Sequence, residues 1–167
     1  NQLSLSQEQT TQAERARFLA DLALNIRQSM KPQEIMDLCV GGARSALQTN
    51  RVLFFEFDEK WQGTMVAESV GKGWPTKMGD SIYDPCFEEK YLEKYRKGGI
   101  QATADVHNAG LTDCHLGILE PYKVQANLVV PVLTGERLKG LLIAHECKAT
   151  RDWNNGEIAF FKHNATQ

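Results

Sequence analysis

No stretch of the 167 residues is apolar for anything near the roughly 20 positions a membrane-crossing helix needs. The longest such run, residues 127–133, is interrupted by Pro131 and reads as a strand. Excess positive charge is also missing. Nineteen basic against 21 acidic residues leave a net charge of −2 and no footprint for nucleic acid. Cysteine is sparse: Cys39, Cys86, Cys114 and Cys147, with the closest pair 28 positions apart. That excludes the C-x-x-C spacing of zinc ribbons and thioredoxins. No secretory signal precedes them, and a chain of this length builds a core without disulfide staples, so reduced thiols in a cytoplasmic protein are expected. No GxSxG motif stands behind a Ser-His-Asp hydrolase. What is present is 42% hydrophobic and 24% charged residues, the balance of one soluble globular domain. The chain opens at Asn1 without an initiator methionine and is expected to be a piece of a longer protein.

Periodicity divides the chain into short elements. Residues 5–30 read as a helix that is polar in its first half and carries Phe18, Leu19, Leu22, Ala23 and Ile26 at helical spacing. Pro32 opens a second helix, where its missing N–H costs little. Ile35, Leu38, Cys39, Gly42, Ala43, Ala46 and Leu47 are expected to line its apolar face, with Cys39 a small buried hydrophobe. Strands follow at residues 51–57 and 63–70, a charged helix at 88–97, a strand at 100–106 and a short helix from about 112 to 120 that Pro121 ends. Val124, Ala126, Leu128, Val130 and Val132 alternate along a strand. It turns at residues 134–137 and returns over 138–147 as a hairpin. Asn154 and Glu157 have capping-box spacing and open a last helix with Ile158, Phe160 and Phe161. The order predicts an α+β fold, an antiparallel sheet with the terminal helices on one face and the short elements of residues 70–123 on the other. A long irregular middle is where a ligand pocket is expected.

Two cysteines sit in that middle. In Asp84-Pro85-Cys86-Phe87, proline favours extended geometry for Asp84, so Asp84 and Cys86 would face the same way. A carboxylate beside a thiol disfavours the thiolate, so Asp84 suits a cationic or N–H-bearing ligand better than the sulfur. A polar turn with an incidental cysteine is the competing reading. In Thr112-Asp113-Cys114-His115, a helix start favours the Cys114 thiolate. Cys114 and His115 diverge by about 100° and would flank a ligand rather than share a face. His145 falls on the face of Leu141 and Ile143, where a satisfied core histidine is the bland reading. His163 reads as solvated. His115, His145, Cys86 and Cys114 lack any metal-site spacing.

Taken together these segments resemble a known family. Asp84-Pro85-Cys86-Phe87 is similar to the DXCF motif of the cyanobacteriochromes, phytochrome-related bilin photoreceptors built on GAF domains. Asn108-Ala109-Gly110-Leu111-Thr112-Asp113-Cys114-His115 looks like their chromophore-attachment segment. Gln125-Ala126-Asn127-Leu128-Val129-Val130-Pro131 and Gly140-Leu141-Leu142-Ile143-Ala144-His145 resemble the strands that follow it, and Trp61-Gln62-Gly63 and Gly73-Trp74-Pro75 also fit. The similarity runs from about residue 20 to 163.

The resemblance implies one GAF domain over residues 1–167, with 1–20 a linker helix and 154–167 the start of a C-terminal signalling helix. It implies a covalent linear tetrapyrrole, phycocyanobilin or phycoviolobilin, anchored by thioether at Cys114. Cys86 would be a reversible second linkage to the central methine bridge, splitting the conjugated system and moving absorption to the blue. Asp84 would accept from pyrrole N–H groups and His115 would stack on the ring system. His145 would lie near ring D. Tyr95 and Arg96 would meet the propionates, and Phe87, Trp74 and Tyr122 would complete the pocket. Light would isomerise the bond between rings C and D, and the domain would relay that to neighbouring domains, with a homodimer through the terminal helices. Such a protein is a sensor, not an enzyme; this domain would touch no membrane, and a membrane-anchored parent is compatible with the resemblance. Two other classes remain open: a GAF-fold redox enzyme like the free methionine sulfoxide reductases, using Cys86 with Cys114, and a small-ligand GAF sensor that needs neither thiol.

Overall fold

A computed structural model describes residues 2–61, 63–76, 81–82, 89–111 and 113–166. The chain divides into two compact units, one up to Ile35 and one from Met36 onward. The first is helical. Helix α1 (Gln2–Ser29) covers the span the periodicity predicts, and its residues 11–25 are exposed, including Phe18, Leu19, Leu22 and Leu24. Helix α2 (Pro32–Leu47) begins in this unit with Pro32 at its first position.

The second unit is built on a six-stranded, fully antiparallel sheet. Its strands are β1 (Arg51–Phe57), β2 (Gly63–Val70), β3 (Ser81–Ile82), β4 (Gln101–Thr103), β5 (Ala126–Thr134) and β6 (Arg137–Glu146), in the order β3-β2-β1-β6-β5-β4. The two-residue β3 has no counterpart in the sequence expectation. The 100–106 strand is shorter than expected. After β4 the chain turns into a 3-10 turn, Val106–Asn108, whose first N–H groups are drawn to Asp105: its Oδ1 accepts from the His107 N–H at 3.0 Å. The hairpin of β5 and β6 is tight, with Thr134 opposite Arg137 and Gly135 at φ +63 between them, a backbone state that glycine enters without strain. Gly140 faces Glu56 on β1, and a Cβ there would run into the Phe55 carbonyl and the Phe54 ring, so only glycine permits the close pairing of β6 with β1.

Because side chains alternate along a strand, the sheet presents two apolar faces. On one face Val52, Phe54, Ala67, Ala126, Leu128, Val130, Leu142 and Ala144 pack against Val40, Ala43 and Leu47 of α2, Phe161 of the last helix α5 (Asn155–Ala165), and Trp153 just before α5. The buried stripe of α2 from Met36 onward is therefore Met36, Val40, Ala43 and Leu47, spaced i, i+4, i+7 and i+11. The expected stripe was too broad: Leu38, Gly42 and Ala46 are exposed and Cys39 is half-buried. Phe160 on α5 likewise points outward, while Phe161 is fully buried. Asn154 and Glu157 form the anticipated capping box, with the Glu157 N–H donating to Asn154 Oδ1 at 2.8 Å and the Asn154 N–H to Glu157 Oε1 at 3.0 Å.

On the other face Leu53, Phe55, Phe57, Met65, Val129, Leu138 and Leu141 meet the short elements of the middle segment. These are α3 (Glu89–Arg96), α4 (Asp113–Leu119) and a 3-10 turn, Glu120–Tyr122, in which the chain continues past Glu120 instead of stopping at Pro121. Val124 belongs to this second face, not to the row of Ala126, Leu128 and Val130. It precedes β5, just after Lys123 at φ 58, so the strand alternation has not yet begun there. Within the second unit the antiparallel sheet carries helices on both faces, the α+β class expected from element order.

Candidate functional site

Strand register assembles a polar row beneath the second apolar face. Arg51 opens β1 and stands opposite His145 on β6. His145 stands opposite Asn127 on β5, and Asn127 opposite Thr103 on β4. Directly opposed residues share a face, so the four lie side by side across four strands. All are buried, with Arg51 at 0% exposure.

A buried guanidinium is costly unless its donors are matched. Arg51 is held by an ion pair and several hydrogen bonds, although among the described residues its Nε and the facing Glu68 Oε2 have no hydrogen-bond partner. Nη2 donates to the Pro75 carbonyl at 2.7 Å, and Nε lies 3.3 Å from Glu68 Oε2, a carboxylate almost as buried. Glu68 faces the same side from β2, one diagonal step away, and its other oxygen accepts from the Thr76 hydroxyl. Nη1 has two hydrogens and three acceptors: the Tyr122 carbonyl and His145 Nδ1, each at 3.1 Å, and Cys147 Sγ at 3.6 Å. The guanidinium also lies 5.4 Å from the centre of the Tyr122 ring. One arginine thus ties the sheet to the loop of Trp74 and Pro75 and to the turn that follows α4.

Full burial, reinforced by the Arg51 charge, pushes His145 down to about 3, so the ring is neutral at physiological pH. The Thr49 hydroxyl holds its carbonyl at 2.7 Å. Burial pushes the Cys147 thiol up, against a partial pull from Arg51, and burial alone raises Cys39. Asn127 Oδ1 is buried with no hydrogen-bond partner among the described residues. A buried amide oxygen left in that state is an acceptor awaiting a donor.

Beside the row is a cavity of about 310 Å³, walled by Trp74, Val106, Leu116, Leu119, Val124 and Cys147. Cys147 belongs to both the wall and the arginine cluster. Among the described residues no three His, Cys, Asp or Glu side chains converge as a metal site would. Nor is any helix among them long and apolar enough to cross a membrane.

The residues singled out from sequence fall into three groups. Asp84, Cys86 and Phe87 lie outside the described residues. Cys114 and His115 occupy the second and third positions of α4, on the side of the sheet that carries the polar row; their side chains lie outside the described set. The others can be placed. His145 and Tyr122 come together, with ring centroids 6.5 Å apart. Tyr95 is buried in the same apolar cluster as Tyr122, and Trp74 lines the cavity. Arg96 is half-exposed. Its guanidinium stacks 4.6 Å from the centre of the Trp61 ring and lies 3.7 Å from Glu93 Oε2. Sequence reasoning missed Arg51, Glu68 and Asn127. The available signal was a full charge at the head of the apolar run of residues 52–55 and a lone amide between Ala126 and Leu128.

This geometry has close relatives. The GAF domain profile matches residues 31–167. A putative methyl-accepting chemotaxis protein of Synechocystis sp. is 46% identical over 158 residues, covering 95% of this chain and 16% of that protein. The chain thus spans about a sixth of that relative's length. The crystal structure of the blue-light-absorbing form of the Thermosynechococcus elongatus PixJ GAF domain is 48% identical, covering 80% of this chain and 79% of that one, with a TM-score of 0.77. A structure described as the green-light-absorbing state of TePixJ, an active cyanobacteriochrome domain, is 45% identical, covering 86% and 87%, with a TM-score of 0.76. With its sheet, its two helical faces and these relatives in view, the chain belongs to the GAF domain family, in its cyanobacteriochrome branch.

Proposed function

We propose that this domain is a light sensor that holds phycocyanobilin or phycoviolobilin covalently and alternates between a blue-absorbing dark state and a longer-wavelength state. The observation that carries the reading is 48% identity to a GAF domain described in its blue-light-absorbing form, alongside a green-light-absorbing relative at 45%. The residues present suit such a ligand. The unpartnered Asn127 oxygen is an acceptor fit for a pyrrole N–H, and the neutral His145 can meet an uncharged ring edge. Tyr122, Trp74 and the α4 leucines supply flat apolar walls.

When bound, a bilin supplies a conjugated system that absorbs visible light and isomerises between rings C and D. The chain's own parts have separate tasks. Cys114 on α4 is the anchor through its sulfur, and His115 stacks beside it. Asp84 accepts from pyrrole N–H groups. Cys86 would be the second residue to hold the pigment, through its sulfur at the central methine bridge, a reversible linkage that would divide the conjugated system. Phe87 would contact the pigment, and Tyr95 and Arg96 would serve its propionates. The domain turns over no substrate and works in the cytoplasm as one module of a longer signalling protein, as its share of the chemotaxis relative suggests. Residues 1–20 and 154–167 link it to neighbouring domains and to a second copy.

The test is an absorbance spectrum of protein co-expressed with the bilin, before and after blue light, for the parent sequence and for Cys86→Ala. The parent is expected to lose its blue band on illumination. The variant is expected to lack that band in the dark while retaining pigment through Cys114. A colourless parent protein with reductant-dependent turnover of a sulfoxide would point to the redox reading, and a retained blue band in Cys86→Ala would overturn the second linkage.

A further inference from the structure

The arginine cluster contains a group that the light-sensing reading leaves without a task. We propose that Arg51 is a positioning residue that fixes the tautomer of His145, so that the ring carries its proton on Nε2 and can only donate there. The argument is one of hydrogen inventory. A guanidinium only donates, so whichever ring nitrogen faces Arg51 Nη1 must offer a lone pair. That nitrogen is Nδ1, at 3.1 Å. A neutral imidazole has one N–H, and with Nδ1 engaged as acceptor the proton resides on Nε2. The arrangement is rigid. Nη2 is held by the Pro75 carbonyl and the second Nη1 hydrogen by the Tyr122 carbonyl, and the buried Glu68 carboxylate lies 3.3 Å from Nε as an ion pair, so the fork is held against the ring. His145 is pinned in turn by cross-strand pairing to both Arg51 and Asn127.

A histidine without this partner exchanges tautomers and can accept as readily as donate. With it, a fixed donor at His145 stands beside the unpartnered acceptor of Asn127 in the buried row, a pair suited to a ligand group that has both C=O and N–H. The identity of that ligand as a bilin rests on the proposed function; the tautomer does not.

The experiment is histidine-selective ¹⁵N NMR on pigment-free and on bilin-loaded protein. His145 is expected to show an unprotonated Nδ1 and a protonated Nε2 in both, with a scalar coupling from Arg51 Nη1 to Nδ1 across the hydrogen bond. A protonated Nδ1, or a tautomer mixture in the parent protein, overturns the proposal without any variant. Two variants add a causal arm, with circular dichroism as the check on folding. Glu68→Gln keeps the arginine fork and is expected to retain the single tautomer. Arg51→Met combined with Glu68→Gln, which avoids stranding a buried carboxylate, is expected to lose it, and persistence of the single tautomer there assigns the role elsewhere. A parent protein that carries the expected tautomer but takes up no bilin would refute the light-sensing reading and leave the Arg51 assignment standing.

Discussion

Arg51 and His145 are 94 positions apart in sequence, and their pairing explains both what could be read from the chain and what could not. The face His145 shares was legible from strand parity, because Leu141 and Ile143 lie in the same row of β6. Its partner was not, since nothing local shows that β1 lies against β6. Cys86 and Asp84 were legible as a motif with a family meaning, but their geometry falls outside the described residues. Cys147 yields a prediction at this scale. The residue is 5% exposed and burial raises the thiol's pKa, so little thiolate forms at neutral pH. A short iodoacetamide pulse followed by mass spectrometry is expected to leave Cys147 unlabelled in the folded protein and fully labelled in guanidinium. Rapid labelling under native conditions would contradict its place behind Arg51 and Tyr122.

Among the elements, those specified locally were the most readable. The β5–β6 hairpin and the α5 cap depend on residues two or three positions apart, so spacing alone revealed them. The buried face of α2 was harder, because Leu38, Ala46 and Gly42 are as apolar or small as the residues that face the sheet. Only the packing partner decides which stripe is used. The cap of α5 can be tested directly. Asn154→Ala removes the acceptor of the Glu157 N–H and is expected to cost about 1 kcal/mol. In a domain of this size that corresponds to a fall in Tm of roughly 2–4 °C by circular dichroism. An unchanged Tm would mean that Arg151, which binds Glu146, Glu157 and the Leu47 carbonyl, holds the helix start without the cap.

For the molecule as a whole, pH dependence follows from groups whose protonation differs between folded and unfolded states. His145 has an ordinary value of 6.5 and a folded value of about 3. Between these the unfolded chain binds one more proton, so stability is full above pH 6.5 and declines as the pH falls toward 3, by at most about 1.4 kcal/mol per pH unit. Glu157 acts in the same sense. Burial pushes its carboxyl up, but the Asn154 N–H and the Arg151 guanidinium outweigh this and hold it below its usual value of 4.5. Its contribution is present above that value and lost as the pH falls through its depressed folded value. Urea midpoints at pH 7.5, 6 and 5 are expected to decrease in that order, and His145→Gln to flatten the decrease between 6.5 and 5. A midpoint constant from pH 7.5 to 5 would contradict the buried neutral imidazole.

The sheet's order carries a consequence for how the protein is made. Its central contact joins β1, begun at residue 51, to β6, finished at residue 146. During synthesis β1 waits with one flank open while almost a hundred further residues are added, and such late long-range closure slows folding. The donor–acceptor row cannot come together until Glu146 has cleared the ribosomal exit tunnel, so nascent chains halted before that point would lack the Arg51–His145 hydrogen bond altogether.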